Sequence, residues 1–162
     1  WHYGYELRRT TTAGKIIYQN LVFYHIYQYL NLGKRVEIHS RVRAGSCSRS
    51  VFGDPCFRLG GDATIRGIRR GSLKGDSFIL SNTQLLVPLA SEWPLKGTAF
   101  LDVGVTGHSH EETSPKALSA GVGIGIVWKL PRFVRTDIRL EVARGVGPRG
   151  KNRIYGATSM LF

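Results

Sequence analysis

The stretch Phe57–Ile68, FRLGGDATIRGI, contains an arginine whose surroundings suggest more than a solvated charge. Arg66 follows a glycine-rich turn at Gly60 and Gly61 and sits in a tight, partly apolar setting between Ile65 and the pair Gly67 and Ile68. A guanidinium removed from water is costly unless it is paired and hydrogen-bonded. Other residues could also do chemistry. His108, His110, Glu111 and Glu112 are ligand types for a metal, but a solvated hairpin tip explains them better, and no metal is assigned. Gly121, Gly123 and Gly125 have the wrong spacing for a phosphate-cradling loop, and no helix follows them. Arg69, Arg70, Arg149 and Lys151 could contact RNA or anionic lipid headgroups, and basic loops at a membrane surface suffice to explain them. The chain offers no nucleophilic triad and no paired carboxylates, so neither an enzyme nor a cofactor is expected.

The residues around this stretch alternate. Arg35, Glu37, His39, Arg41 and Arg43 share one face of a strand, and Val36, Ile38, Ser40, Val42 and Ala44 share the other. Further on, Leu118, Ala120, Val122, Ile124, Ile126 and Trp128 oppose Ser119, Gly121, Gly123 and Gly125. Glycine weakens a strand, so three on one face imply a lumen that leaves room for something packed inside. Arg135, Asp137, Arg139 and Glu141 alternate with Val134, Thr136, Ile138, Leu140 and Val142. With His2–Thr10, Lys15–Leu30, Ser77–Leu89, Leu95–Gly107 and Asn152–Phe162, the pattern predicts about eight antiparallel strands, mostly about 10 to 13 residues long. Globular strands run to about 5 to 6 residues, whereas membrane-spanning strands need about 9 to 11. The segment from about Ser46 to Gly75 lacks this alternation. The expectation is therefore an all-β protein, an antiparallel transmembrane β-barrel with one long loop folded into it and Arg66 at the loop tip.

The totals agree with a single domain. The chain has 162 residues, 42% of them hydrophobic, and a formal net charge of +12. No apolar run is long enough for a transmembrane helix. Such a charge often means nucleic acid or an anionic membrane surface, but here most charges stand at alternate strand positions, and a soluble basic barrel that binds nucleic acid is the weakest reading. Cys47 and Cys56 flank the start of the irregular segment. Two free thiols are the expectation, with a disulfide as the alternative in an oxidising compartment. The chain starts at Trp1 without a targeting pattern, as a processed form, a fragment or a chain lacking its beginning would.

FRLGG followed by IRGI resembles the loop signature of the outer-membrane β-barrel assembly and translocation superfamily. Its members include bacterial BamA, the core barrel of the mitochondrial SAM complex, chloroplast import channels and two-partner secretion pores. Arg66 and Gly67 match the V-R-G-aromatic tetrad at the tip of the in-folded loop. Ile65 replaces valine, and Ile68 departs from the aromatic. The resemblance implies an acidic wall partner in an F-x-D-x-G strand, which Phe100, Asp102 and Gly104 fit, and strand parity also puts Asp102 on the lumen face. Gln84 stands where an acidic residue is more common. SAGVGIGIVWKLPRFVRTDIRLEV resembles the penultimate hairpin, with a link near Pro131 most like the SAM barrel.

The resemblance implies that residues 1–162 are the C-terminal half of a sixteen-stranded barrel, since an eight-stranded barrel is filled by its own side chains. The loop lock would comprise Phe57, Gly60, Gly61, Ile65, Arg66, Gly67, Ile68 and Asp102, set against inner-wall residues Phe100, Gly104, Gly121, Gly123 and Gly125. The last strand would form a lateral seam at Arg153, Tyr155, Ala157, Ser159 and Leu161. The implied function is insertion of other β-barrel proteins into an outer membrane, most like the mitochondrial one, with bacterial or plastid membranes as alternatives. Membrane lipid, the remaining barrel strands on the same or another chain, client barrels and accessory subunits are the implied partners, and nucleic acid is not. A structural subunit or a translocation pore is the alternative function.

Overall fold

The structure, a computed structural model, describes residues 2–12, 15–32, 36–47, 55–89, 94–107, 118–130, 136–147 and 150–160. Among them are ten strands: β1 (His2–Thr12), β2 (Lys15–Asn31), β3 (Glu37–Cys47), β4 (Phe57–Leu59), β5 (Leu73–Gly75), β6 (Ser77–Pro88), β7 (Leu95–Gly107), β8 (Ser119–Leu130), β9 (Thr136–Val146) and β10 (Asn152–Met160). Eight form one antiparallel sheet in the order β1-β2-β3-β6-β7-β8-β9-β10, and β4 pairs only with β5. The sheet is all hairpins in chain order, with the β4–β5 hairpin set aside from it. It does not close, since β1 and β10 lie at opposite edges.

The sheet is apolar outside and polar inside. On β7 Thr98, Phe100, Asp102, Gly104 and Thr106 are buried and Leu101 is exposed. On β9 Asp137, Glu141 and Ala143 are buried, whereas Ile138, Leu140 and Val142 are exposed. Ile124 is 69% and Ile154 75% exposed. A wall of exposed aliphatic residues over buried carboxylates is unfavourable in water, but it is what a lipid-facing barrel wall requires. Polar outer positions are satisfied locally where they pair: Ser40 and Thr83 stand opposite each other, and their hydroxyls are 3.1 Å apart.

The segment between β3 and β6 folds onto the inner face. Leu59, Ile65, Ile68 and Leu73 from this segment pack with Leu80 of β6 into a buried cluster, with Phe78 against it. The core therefore lies between loop and wall, as the polar inner face of the barrel would otherwise leave no apolar interior.

Three expectations need correction. The loop is not wholly irregular, because Phe57–Leu59 pairs with Leu73–Gly75. The buried Leu59 and Leu73 alternate with the exposed Arg58 and Lys74, a pattern too short to read as a strand in sequence. Cys47 and Cys56 are joined in a disulfide rather than free. The end of β3 bonds to the hairpin base, Cys47 N–H to Asp76 O at 2.9 Å, which brings the residue before β4 to the end of β3. Strands β3 and β9 also run on to Cys47 and Val146, past the alternation that reaches Ala44 and Val142. The connection His108–Lys116, including the metal candidates His108, His110, Glu111 and Glu112, and the link near Pro131 lie outside the described residues.

The disulfide gives a direct check. The chain has two cysteines, so a thiol-alkylating reagent should add nothing to the unfolded, unreduced chain and two groups after reduction. Two adducts without reduction would contradict the bridge.

Candidate functional site

The loop tip is a tight turn that presents Arg66 to the wall. Gly61 N–H donates to both Ile65 O (3.1 Å) and Ile68 O (3.0 Å), Thr64 N–H donates to Gly61 O, and Gly60 N–H donates to the Thr64 hydroxyl at 2.7 Å. Ile65 and Ile68 on either side of Arg66 and Gly67 are fully buried, so the apolar neighbours anchor the turn and leave the guanidinium to cross to the wall. Ile68, in place of the expected aromatic, fills this cluster with an aliphatic side chain. Phe57, at the base of the hairpin, rests on Phe78 with ring centroids 4.8 Å apart.

Asp102 receives the arginine side-on, through Nε and Nη2. Its Oδ2 accepts from Arg66 Nε (2.8 Å) and the Arg66 backbone N–H (3.0 Å), and its Oδ1 accepts from Arg66 Nη2 (2.9 Å) and Asn82 Nδ2 (2.7 Å). A carboxylate has about four acceptor sites, so Asp102, 0% exposed, is fully satisfied. Arg66 Nη1 donates to Glu141 Oε2 at 3.0 Å. The guanidinium carbon lies 3.4 Å from the centroid of the Phe100 ring, adding a cation–π contact. Burial alone would lower the affinity of Arg66 for its proton, but the hydrogen bonds and charges of Asp102 and Glu141 outweigh it and hold the arginine pKa above its ordinary value.

Gln84 and Glu141 also meet at this site. The Gln84 amide donates to the Thr98 hydroxyl at 2.6 Å and faces Glu141 Oε1 at 3.5 Å. An amide tolerates Glu141 beside it where a second carboxylate would repel it. The second acid for Arg66 thus comes from β9, with a neutral residue on β6. Strand parity puts Glu141 and Asp137 on the same face and does not choose between them.

The wall glycines make the space for this. A Cβ at Gly121 would sit 1.8 Å from Arg66 O, and one at Gly123 would sit 2.3 Å from the Phe100 ring. Gly104 lies under Ile65, and Gly125 lies beside Glu141. Gly67 is required on the loop side as well, with φ +85° and no room for a Cβ, which would sit 2.2 Å from Gly145 N.

The tip also reaches the last hairpin. Gly67 N–H donates to the Tyr155 hydroxyl at 2.9 Å, and Gly67 O accepts from Lys151 N–H at 3.0 Å. Ile68 forms a bridge with Gly150. On the opposite side, Arg43 Nη2 (2.6 Å) and Arg41 Nη2 (3.3 Å) donate to Ala63 O. The loop thus touches β3, β6, β7, β8, β9 and β10. Of the seam residues, Arg153, Tyr155 and Ala157 stand opposite Ala143, Glu141 and Arg139 on the lumen side of β10, and Ser159 stands opposite Asp137. Leu161 lies outside the described residues. Tyr155 therefore meets the loop tip, a contact that strand alternation alone does not reveal.

Together the lipid-facing sheet and the in-folded, arginine-anchored loop define part of a membrane β-barrel. A family model described as the Omp85 superfamily domain matches residues 14–155. The chain belongs to this superfamily of outer-membrane β-barrels that insert or translocate proteins, and it is an outer-membrane protein. No curated protein matches it.

Gly121→Ala should drive Arg66 off the wall, because the added methyl meets loop backbone rather than a flexible side chain. It should lower the thermal unfolding midpoint in detergent and open the loop to protease. Gly156→Ala, where a Cβ meets nothing within 4 Å, should change neither. Equal behaviour of the two variants would contradict the packed loop.

Proposed function

We propose that the chain is the C-terminal part of an outer-membrane barrel that inserts or assembles other β-barrel proteins, and that β10 is the strand it offers to them. The observation that carries this reading is the position of β10 at an open edge of the sheet, beside a hairpin held from within by the loop tip. An edge strand presents a row of unpaired N–H and C=O groups, and an incoming strand can add to it by backbone hydrogen bonding. In this mechanism the seam runs along β10, with Arg153, Tyr155 and Ala157 on its lumen side, and no cofactor or catalytic side chain takes part. The Arg66 cluster locks the loop, and the loop keeps the edge strand in register while a client strand pairs. The remaining barrel strands come from the same or another polypeptide, accessory subunits complete the assembly, and membrane lipid surrounds it. The last hairpin favours the mitochondrial outer membrane over the bacterial or plastid one.

A second reading, a divergent half barrel kept as a structural subunit, is supported by the departures at Ile68 and Gln84 from the family's pattern. Photo-cross-linkers placed along β10 separate the two readings. Newly made β-barrel precursors should cross-link to positions 153–161 and not to Val122 on the outer wall of β8. Absence of client adducts along β10 in an assembled complex would favour the structural subunit. An intact mass under denaturing conditions far above 18.0 kDa would put the missing strands on the same polypeptide.

A further inference from the structure

The outer wall of β9 carries a charge that the loop and the seam do not use. Arg144 lies on β9 between Val142 and Val146, which are 51% and 54% exposed, and side chains alternate along a strand. It therefore points outward, toward lipid, and is itself exposed. In register it stands between Val122 of β8 and Asn152 of β10, both also exposed. The acids of its own strand, Asp137 and Glu141, are buried on the inner face, and among the described residues no carboxylate pairs with it.

Its depth is informative. Arg144 is about 7 Å along the strand from the end of β9 at Val146, within reach of the membrane surface for a snorkelling arginine. At the other end of the same patch, Trp128 is exposed on β8 about 20 Å from Val122. That separation approaches the apolar band of an outer-membrane barrel, about 25 Å tall with aromatic residues at its borders. Below Arg144 a groove of about 400 Å³ is lined on the outer wall by Val122, Ile124, Val142, Arg144 and Asn152, and it reaches down to the inner-face residues Phe100, Gly123 and Ala143. A second cleft, at the β9–β10 end of the wall, shares Arg144 and Asn152 with it and adds Lys151.

We propose that this corner is a binding site for an anionic phospholipid. Arg144 and Asn152 bind the headgroup phosphate, with Lys151 adding positive charge, and an acyl chain lies along Val122, Ile124 and Val142. The charge is outward, near a membrane surface and continuous with an aliphatic groove, which matches a lipid's charged head and apolar tail. A protein partner would leave a polar rim around an apolar centre, whereas here the residues flanking the groove are aliphatic. The proposal is independent of the insertase reading and requires only that the chain sits in a membrane.

The chain, extracted from its membrane in mild detergent with whatever it assembles with, would be offered equal amounts of phosphatidylglycerol and phosphatidylcholine. Native mass spectrometry then counts the lipid retained. The wild type should retain phosphatidylglycerol preferentially. Arg144→Gln should reduce that preference about fivefold, and Arg144→Lys should keep most of it. Val142→Trp, which fills the groove, should lower retention of phosphatidylglycerol while the charge remains. Equal retention of the two lipids by the wild type, or an unchanged preference in Arg144→Gln, would overturn the proposal. Displacement of phosphatidylglycerol by inorganic phosphate alone would overturn the lipid as ligand and leave a simple anion site. The wild-type comparison decides the matter even if a variant fails to fold.

Discussion

The fold turns on burying one guanidinium against one carboxylate. Asp102 is 0% exposed and has all its acceptor sites filled, three by Arg66 and one by Asn82. Neither residue is tolerable there without the other, since an unpaired buried charge costs about 3 to 5 kcal/mol. The surrounding sequence follows from this need. Gly121 clears the wall for the loop backbone, Gly67 lets that backbone turn against Gly145, and Ile65 and Ile68 hold the turn with apolar packing. Glu141 supplies a second negative charge on the far side of the guanidinium.

A barrel wall with an apolar exterior has no conventional core, and the in-folded loop supplies one. Its cluster of Leu59, Ile65, Ile68 and Leu73 against Leu80 joins loop to wall, and its polar contacts run from Arg41 and Arg43 on β3 to Tyr155 on β10. The loop is thus a cross-brace over an open sheet. The disulfide between Cys47 and Cys56 ties the first arm of the brace to the end of β3. The outer face has a separate logic, set by lipid rather than by the loop, and the outward Arg144 belongs to it.

Much of this was legible in the sequence because the two barrel faces differ so sharply. Alternation located most of the wall strands, with β-branched and aromatic content marking β2, and it put Asp102 and the glycines of β8 on the lumen face and Glu141 on the same face of its strand as Asp137. The turn at Gly60 and Gly61 and the isolated Arg66 marked the loop tip. Alternation has a period of two and no information on distance, so it could not say that Glu141, rather than Asp137, reaches Arg66. It could not say that the Tyr155 hydroxyl meets Gly67 either. Both contacts depend on how far the loop crosses the lumen. The three-residue strands β4 and β5 were too short to show a period. The disulfide depends on a hairpin base whose position follows from those strands.

The central claim is that Arg66 and Asp102 form one energetic unit. A double-mutant cycle with Arg66→Leu, Asp102→Leu and the double variant, read as equilibrium unfolding in lipid or detergent, tests it most directly. The account predicts that the double variant is less destabilised than the sum of the two single variants, with a coupling of about 2 to 3 kcal/mol. Destabilisations that add to within about 0.5 kcal/mol would mean that the two residues act independently, and would contradict the loop anchor on which the rest of the structure depends.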